Sequence, residues 1–451
     1  MKTRALSLSL LLLATALNLS ATTYQWNSAS TGNWGTTSLW SPNGAPGAAD
    51  TIGTPLQFGA IQVTGSRSIA GIDFNSSSGW TIRGGSSGTA TLTIGSGGLV
   101  KSGSSTLIIR DENTTGFLSL TTESIAVNGG VLAFGSSSSA PLSSLLVNGT
   151  TSVASGSTLS MYITSATLSG GLQNDGIVGL NSGPANTAFT VTVGGLTGSG
   201  TIRTSTGATV KSSTLKVDLA GTAAYSGVIE NGNALNSLAF EKTGLGKQTL
   251  SGASTYSGGT IVSQGTLLIA NATGSGVGTG AVAVKNSGVF GGTGIVALSS
   301  GNAITVENGG TLLGGDGSQA GGVLTIANDV TFQTGSVIRL AFGLNGAHST
   351  LSRTGGTWSF SSDQSIFFDN IGNAAQAGIV YSGIITGLAS DPGVSGWTVA
   401  NEGWTGVFSY NNGSIDVTLS ATTIPEPSSF AMVLAVIALA GVFCVRRRCA
   451  S

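Results

Sequence analysis

Apolar and polar positions alternate over short runs along the chain, and glycine-bearing turns separate the runs. Leu92-Thr-Ile94 leads to Gly97-Gly-Leu-Val100, and Ile125-Ala-Val127 leads to Gly129-Gly-Val-Leu132. The same unit returns as Val282-Ala-Val284 with Gly288-Val-Phe290. It returns again as Ile304-Thr-Val306 with Gly309-Gly-Thr-Leu-Leu313, and as Val330-Thr-Phe332 with Gly335-Ser-Val-Ile338. Period-two alternation is the pattern of a strand buried on one side. Gly265, Gly288, Gly309 and Gly335 fall 23, 21 and 26 residues apart by subtraction of their numbers. A strand–turn–strand unit repeating in the twenties predicts an all-β solenoid, whose coils each bury an apolar side against the next. Glycine and asparagine suit its sharp corners, which need left-handed backbone. A string of β-sandwiches ranks second, because the repeat is shorter than one sandwich.

Both ends break this pattern. Lys2 and Arg4 precede the apolar run Ala5–Leu13 and the small residues Ala14-Thr-Ala16. That order predicts a secretory signal peptide over 1–21. Residues 22–55 hold Trp26, Trp34 and Trp40 among prolines and are expected to cap the first coil. An aromatic platform for sugar rings is the rival reading. The solenoid is assigned to 56–345. Residues 346–420 carry fewer tandem glycines and are read as a C-terminal cap or small β-domain. A linker spans 421–429. The uncharged run 430–445 is expected to be a transmembrane helix of roughly 24 Å, slightly short for a bilayer core of about 30 Å. The basic tail 446–451 with Arg446, Arg447 and Arg448 is placed in the cytoplasm.

Composition narrows the function. Of 451 residues, 72 are Gly, only 8% are charged, and 40% are apolar, enough for a core. Setting aside the charges of the two ends, the body carries 12 basic and 17 acidic residues, a balance near −5. No basic patch emerges, so nucleic acid is not expected as a partner. Both cysteines, Cys444 and Cys449, lie in the tail, so no disulfide staples the body.

Pro425-Glu426-Pro427, the apolar run and Arg446–Arg448 together resemble the PEP-CTERM sorting signal of exported bacterial proteins. The resemblance implies an exosortase-type enzyme that cuts near Pro425, Glu426 and Pro427 and passes the chain to the envelope. Phe240 to Asn271 resembles the autotransporter-associated β-strand repeat of passenger domains. That family implies a right-handed parallel β-helix on an exported protein. Flanking pieces such as Gly195-Leu-Thr-Gly-Ser-Gly-Thr-Ile202 and Gly291-Gly-Thr-Gly-Ile295 share its texture. The chain departs from autotransporters in ending on an apolar helix, not on barrel strands.

Candidate chemistry is sparse. The single histidine, His348, is read as an exposed loop residue. One histidine and no body cysteine leave no usual zinc site and no Cys–His pair, so neither metal nor cofactor is expected. Asp111-Glu112 is the one adjacent acid pair considered and is read as a solvated turn. Asp363 and Asp369 converge only if folding brings them together. Gly314-Gly-Asp-Gly317 is read as a plain turn. In Gly244-Leu-Gly-Lys247, Glu241 stands where a phosphate loop begins with Gly, and Gln248 replaces its Ser or Thr. Sequons such as Asn148-Gly-Thr150 are expected by chance in a Ser/Thr-rich chain. The expectation is a non-enzymatic structural or adhesive protein of the cell surface. Exopolysaccharide is its expected partner, and the C-terminal helix its contact with the membrane. A carbohydrate-active β-helix enzyme and a passive spacer are the alternatives.

Overall fold

Burial repeats the alternation seen in the sequence. In strand Ser237–Thr243 every second residue points inward, beginning with Leu238 and Phe240. The computed structural model describes residues 21–57, 59–136, 141–163, 165–182, 189–204 and 212–422. It is a parallel β-solenoid of about 13 coils.

One ladder runs along most of the stack. It runs Ser66–Asn75, Gly88–Ser102, Gly116–Thr122, Ser144–Val147, Ala166–Leu168, Phe189–Val193, Ser212–Asp218 and Ser237–Thr243. It continues through Thr260–Val262, Val282–Val284, Ala303–Val306, Asp329–Phe332 and Trp358–Ser359, parallel throughout. The long strand Gly88–Ser102 turns a corner, and its second half pairs with Ile125–Val127 on the next face. That second face proceeds through Thr151–Val153, Leu172–Asn174 and Leu196–Thr197. A bridge from Gly198 to Tyr225 hands it on to strands that end at Thr398–Val399. A third face starts with Gly32–Asn33 beside Ile61–Val63 and reaches Val228–Glu230. Further on, Ile295–Val296, Val323–Ile326, Thr350–Arg353 and Val380–Thr386 stack in the same parallel sense. Coil pairing therefore runs on past residue 345. The stack closes with Ser414–Ala421, antiparallel both to Val380–Thr386 and to Trp404–Asn411.

Stacked coils place like side chains on one another. Leu92, Leu120, Leu145, Ala166, Val191, Leu215 and Phe240 form one inward column, all in register and buried. Each large member contributes on the order of 1.5–3 kcal/mol of burial. The corners stack as well. Ser287 donates its amide to Gly309, and Gly309 donates to Gly335. All three hold left-handed backbone, with φ of 69, 74 and 78°.

Trp26, Trp34 and Trp40 are buried at the N-terminal end. Trp40 meets Trp26 edge-on at 5.1 Å and Trp34 at 5.5 Å. Their indole N–H groups donate to the carbonyls of Ser28, Pro46 and Trp34. These rings cover apolar area and offer no open stacking surface. The signal peptide, Pro425–Pro427, the apolar run 430–445 and Arg446–Arg448 lie outside the described residues, apart from Ala21. Among the described residues no helix is long and apolar enough to cross a membrane.

Candidate functional site

The first ladder exposes its outer side, and there the sequence sets hydroxyls in register. One outward row reads Ser68, Thr93, Thr121, Leu146, Thr167 and Thr192 from coil to coil. A second row, two residues earlier, reads Ser66, Thr91, Ser119, Ser144, Ser165 and Thr190. Coils stand about 4.8 Å apart, and residues two apart on a strand about 6.6 Å. The result is a lattice of hydroxyls, made by strand periodicity along one axis and coil stacking along the other. None of these hydroxyls bonds to another described residue, in contrast to the corner hydroxyls of Ser105 and Thr122, which donate to carbonyls. Neither row carries a charge before Lys216, which is followed in register by Glu241. Two apolar side chains stand on this face: Phe117, 40% exposed beside Ser119, and Leu146, 39% exposed within the row.

The acids weighed for catalysis go elsewhere. Asp111 is no solvated turn, being only 1% exposed. The strand ends at Arg110, and the chain then turns inward. Asp111 accepts the Leu118 amide at 2.7 Å, the Ser143 amide at 3.2 Å and the Ser143 hydroxyl at 2.7 Å. Burial pushes its carboxyl above the ordinary range, against the pull of those three donors. Glu112 turns away to pair with Arg83 at 2.9 Å and is itself half-buried. Asp369 is clamped by Arg339, whose Nε and terminal nitrogen reach it at 2.9 and 2.6 Å. That guanidinium also lies 5.4 Å from the Phe367 ring centre. Asp363 accepts the hydroxyl of Ser361 in its own turn. Asp316 accepts the Ser318 amide and hydroxyl, and these bonds hold its carboxyl below the usual range. His348 is half-buried, not exposed. Its ring nitrogens lie 2.9 Å from the Ser349 carbonyl and 2.8 Å from that of Ser382.

Grooves are shallow and poor in acids. One of 440 Å³ on the second face forms where Gly53, Gly71 and Gly97 lack side chains, and it holds Asp73 as its one carboxylate. Another of 340 Å³, along the first ladder beside Ile261, Ala283 and Thr305, holds Glu307 alone. Glycoside cleavage by the usual route needs two carboxyl groups across one bond.

Sequence reasoning passed over two lysines. Lys101 and Lys242 occupy inward strand positions and are fully buried. Lys101 Nζ donates to the carbonyls of Ser102, Gly103 and Gly129 at 2.6, 2.9 and 2.9 Å. Lys242 Nζ donates to Thr243 and Gly244, the latter at 2.8 Å, with Gln264 at 3.5 Å. A shared signal was available, because each lysine holds an inward alternate position two residues before a glycine: Leu99-Val-Lys-Ser-Gly103 and Phe240-Glu-Lys-Thr-Gly244.

Two family models match the chain. Residues 240–269 match the passenger-associated-transport-repeat, which here spans one coil and the start of the next. Residues 423–448 match the PEP-CTERM protein-sorting motif. The second match takes in Pro425, Glu426 and Pro427 and reaches Arg446–Arg448. No curated protein matches the chain. The PEP-CTERM motif implies a sorting enzyme of the exosortase type as a partner. With the passenger repeat and the coil stack, it marks an exported, envelope-associated β-helix protein.

Proposed function

We propose that this protein is a non-enzymatic shaft of the bacterial cell surface that adheres to exopolysaccharide of the surrounding matrix. The observation that carries this reading is the uncharged hydroxyl lattice, whose donors and acceptors are not used within the described protein. Such a surface bonds a hydroxylated polymer weakly at many points, and linked weak contacts add up to useful avidity. The engagement of Asp111, Asp363 and Asp369 by their own neighbours favours adhesion over catalysis. In the same reading the apolar run 430–445 tethers the shaft to the inner membrane until sorting.

The test is a pull-down of the exported protein, purified from envelopes in detergent, on insoluble matrix and cell-wall polysaccharides. Retention on at least one supports adhesion. Failure on all of them ends the reading and leaves a spacer. Release of sugar fragments during incubation would instead support an enzyme.

A further inference from the structure

We infer that the hydroxyl lattice between Ser66 and Thr192 is the binding face, and that its ligand is a neutral, extended polysaccharide lying along the shaft. This rests on the adhesive reading above and adds to it the site, the charge class and the direction of the bound chain.

Three observations select this ligand. The first is charge. Across the two rows no lysine or arginine precedes Lys216. A polyuronate or other acidic chain would lie on this face without a counter-charge, and desolvating its carboxylates would be unfavourable. A neutral sugar needs only donors and acceptors, and serine and threonine hydroxyls are both.

The second is direction. The rows run along the stacking axis, and six stacked strands, Ser66–Asn75 to Phe189–Val193, span about 24 Å at about 4.8 Å per step. An extended hexose polymer offers hydroxyls at a comparable interval along its length. Laid along the rows it meets one coil per sugar, with the second row serving the other edge of the same chain.

The third is relief. Phe117 and Leu146 rise from the face, next to Ser119 and between Thr121 and Thr167. A sugar ring has an apolar C–H side that packs on such groups, and a bound aromatic of this kind adds affinity without charge. A rigid planar lattice such as ice would instead be held off by them. Threonine adds a methyl beside each hydroxyl, which extends the same mixed character along the rows.

The experiment compares the exported protein with Thr121→Val/Thr167→Val/Thr192→Val, a triple variant that keeps side-chain volume and strand preference. Thr305→Val/Thr331→Val, further along the same ladder, is the control. Probes are cellulose, a linear β-1,3-glucan, alginate as the acidic polymer, and a growing ice surface. The expected result is retention on a neutral glucan that salt does not weaken. The triple variant is expected to lose about tenfold in affinity and Phe117→Ala a smaller amount, while the control is unchanged. Leu146→Thr restores an unbroken row and separates the two roles, since it weakens binding if the apolar contact matters.

Retention of the triple variant within about twofold of wild type would move the ligand to another face and overturn the site, leaving adhesion standing. No retention of wild type on any polymer would sink adhesion and site together. Preference for alginate with loss in salt would overturn the neutral class. Incorporation of wild type into ice, with exclusion of the triple variant, would overturn the polysaccharide.

Discussion

Lys101 and Lys242 repeat one arrangement on two different faces of the solenoid. Each ammonium, deep in the wall, gathers the carbonyls of the corner that follows it and reaches one more in the next coil. Among the described residues no carboxylate accepts from either. A corner in left-handed conformation aims its carbonyls away from the strand ladders, and a buried carbonyl left alone is costly. The lysine supplies three donors at one point, which no other single side chain of that slimness does.

Replacing either lysine by methionine keeps the stem and removes the donors. Lys101→Met and Lys242→Met are each expected to lower the unfolding free energy by about 2–4 kcal/mol in chemical denaturation. A loss under about 0.5 kcal/mol would mean that the corner carbonyls find other partners.

Lys242 also makes stability depend on pH. Burial pushes its ammonium from the ordinary 10.5 down to about 8, and Asp218 opposes this only in part. Between those values the unfolded chain still holds a proton that the folded chain has released. Stability therefore rises as pH climbs from about 8 to 10.5, and this gain is lost as pH falls through 8. The comparison to make is denaturation midpoint against pH for wild type and Lys242→Met. Equal slopes in that window would refute the assignment.

The corner column sets a third expectation. At Gly335 φ is 78°, and a Cβ there would come within 2.9 Å of the Asn308 side-chain oxygen. Gly335→Ala should cost about 1–3 kcal/mol. Ser287 holds the same conformation without being glycine, so Ser287→Gly should gain about 0.5–1 kcal/mol. Thermal or chemical unfolding of the pair checks both signs, and matching signs would show that backbone strain does not govern this column.

Asp111 ties strand Gly116–Thr122 to the start of the strand stacked on it, Ser144–Val147, through Leu118 and Ser143. Asp111→Ala removes the acceptor for two amides and a hydroxyl, with an expected loss of about 1–3 kcal/mol. Hydrogen exchange should quicken at the Leu118 amide before it changes at Phe240. Uniform change along the shaft would argue against a local role.

Much of the shaft was legible in the chain, and the reasons are local. Strand alternation such as Val282-Ala-Val284 and corner residues such as Gly309 report their conformations within a few positions. The sorting motif is contiguous and was readable for the same reason. The hydroxyl lattice was not, because its rows depend on register across coils of unequal length. Thr121 faces Leu146, 25 residues on by number, while Leu146 faces Thr167 after 21. Small shifts of that kind scramble any fixed period. Lys242 was missed because a lysine is ordinarily taken as solvated. Asp111 was misplaced because the turn after Arg110 runs inward, a matter of tertiary packing that adjacent residues do not encode.

Since the strand ladders pair each coil with the one before and the one after, the molecule can be lengthened or shortened by whole windings. Duplicating the segment between Thr260 and Val282, neighbours in register, would add one graduation of about 4.8 Å and leave both ends as they are. The length of the stack is thus written in the chain as a count of windings, open to adjustment by recombination alone.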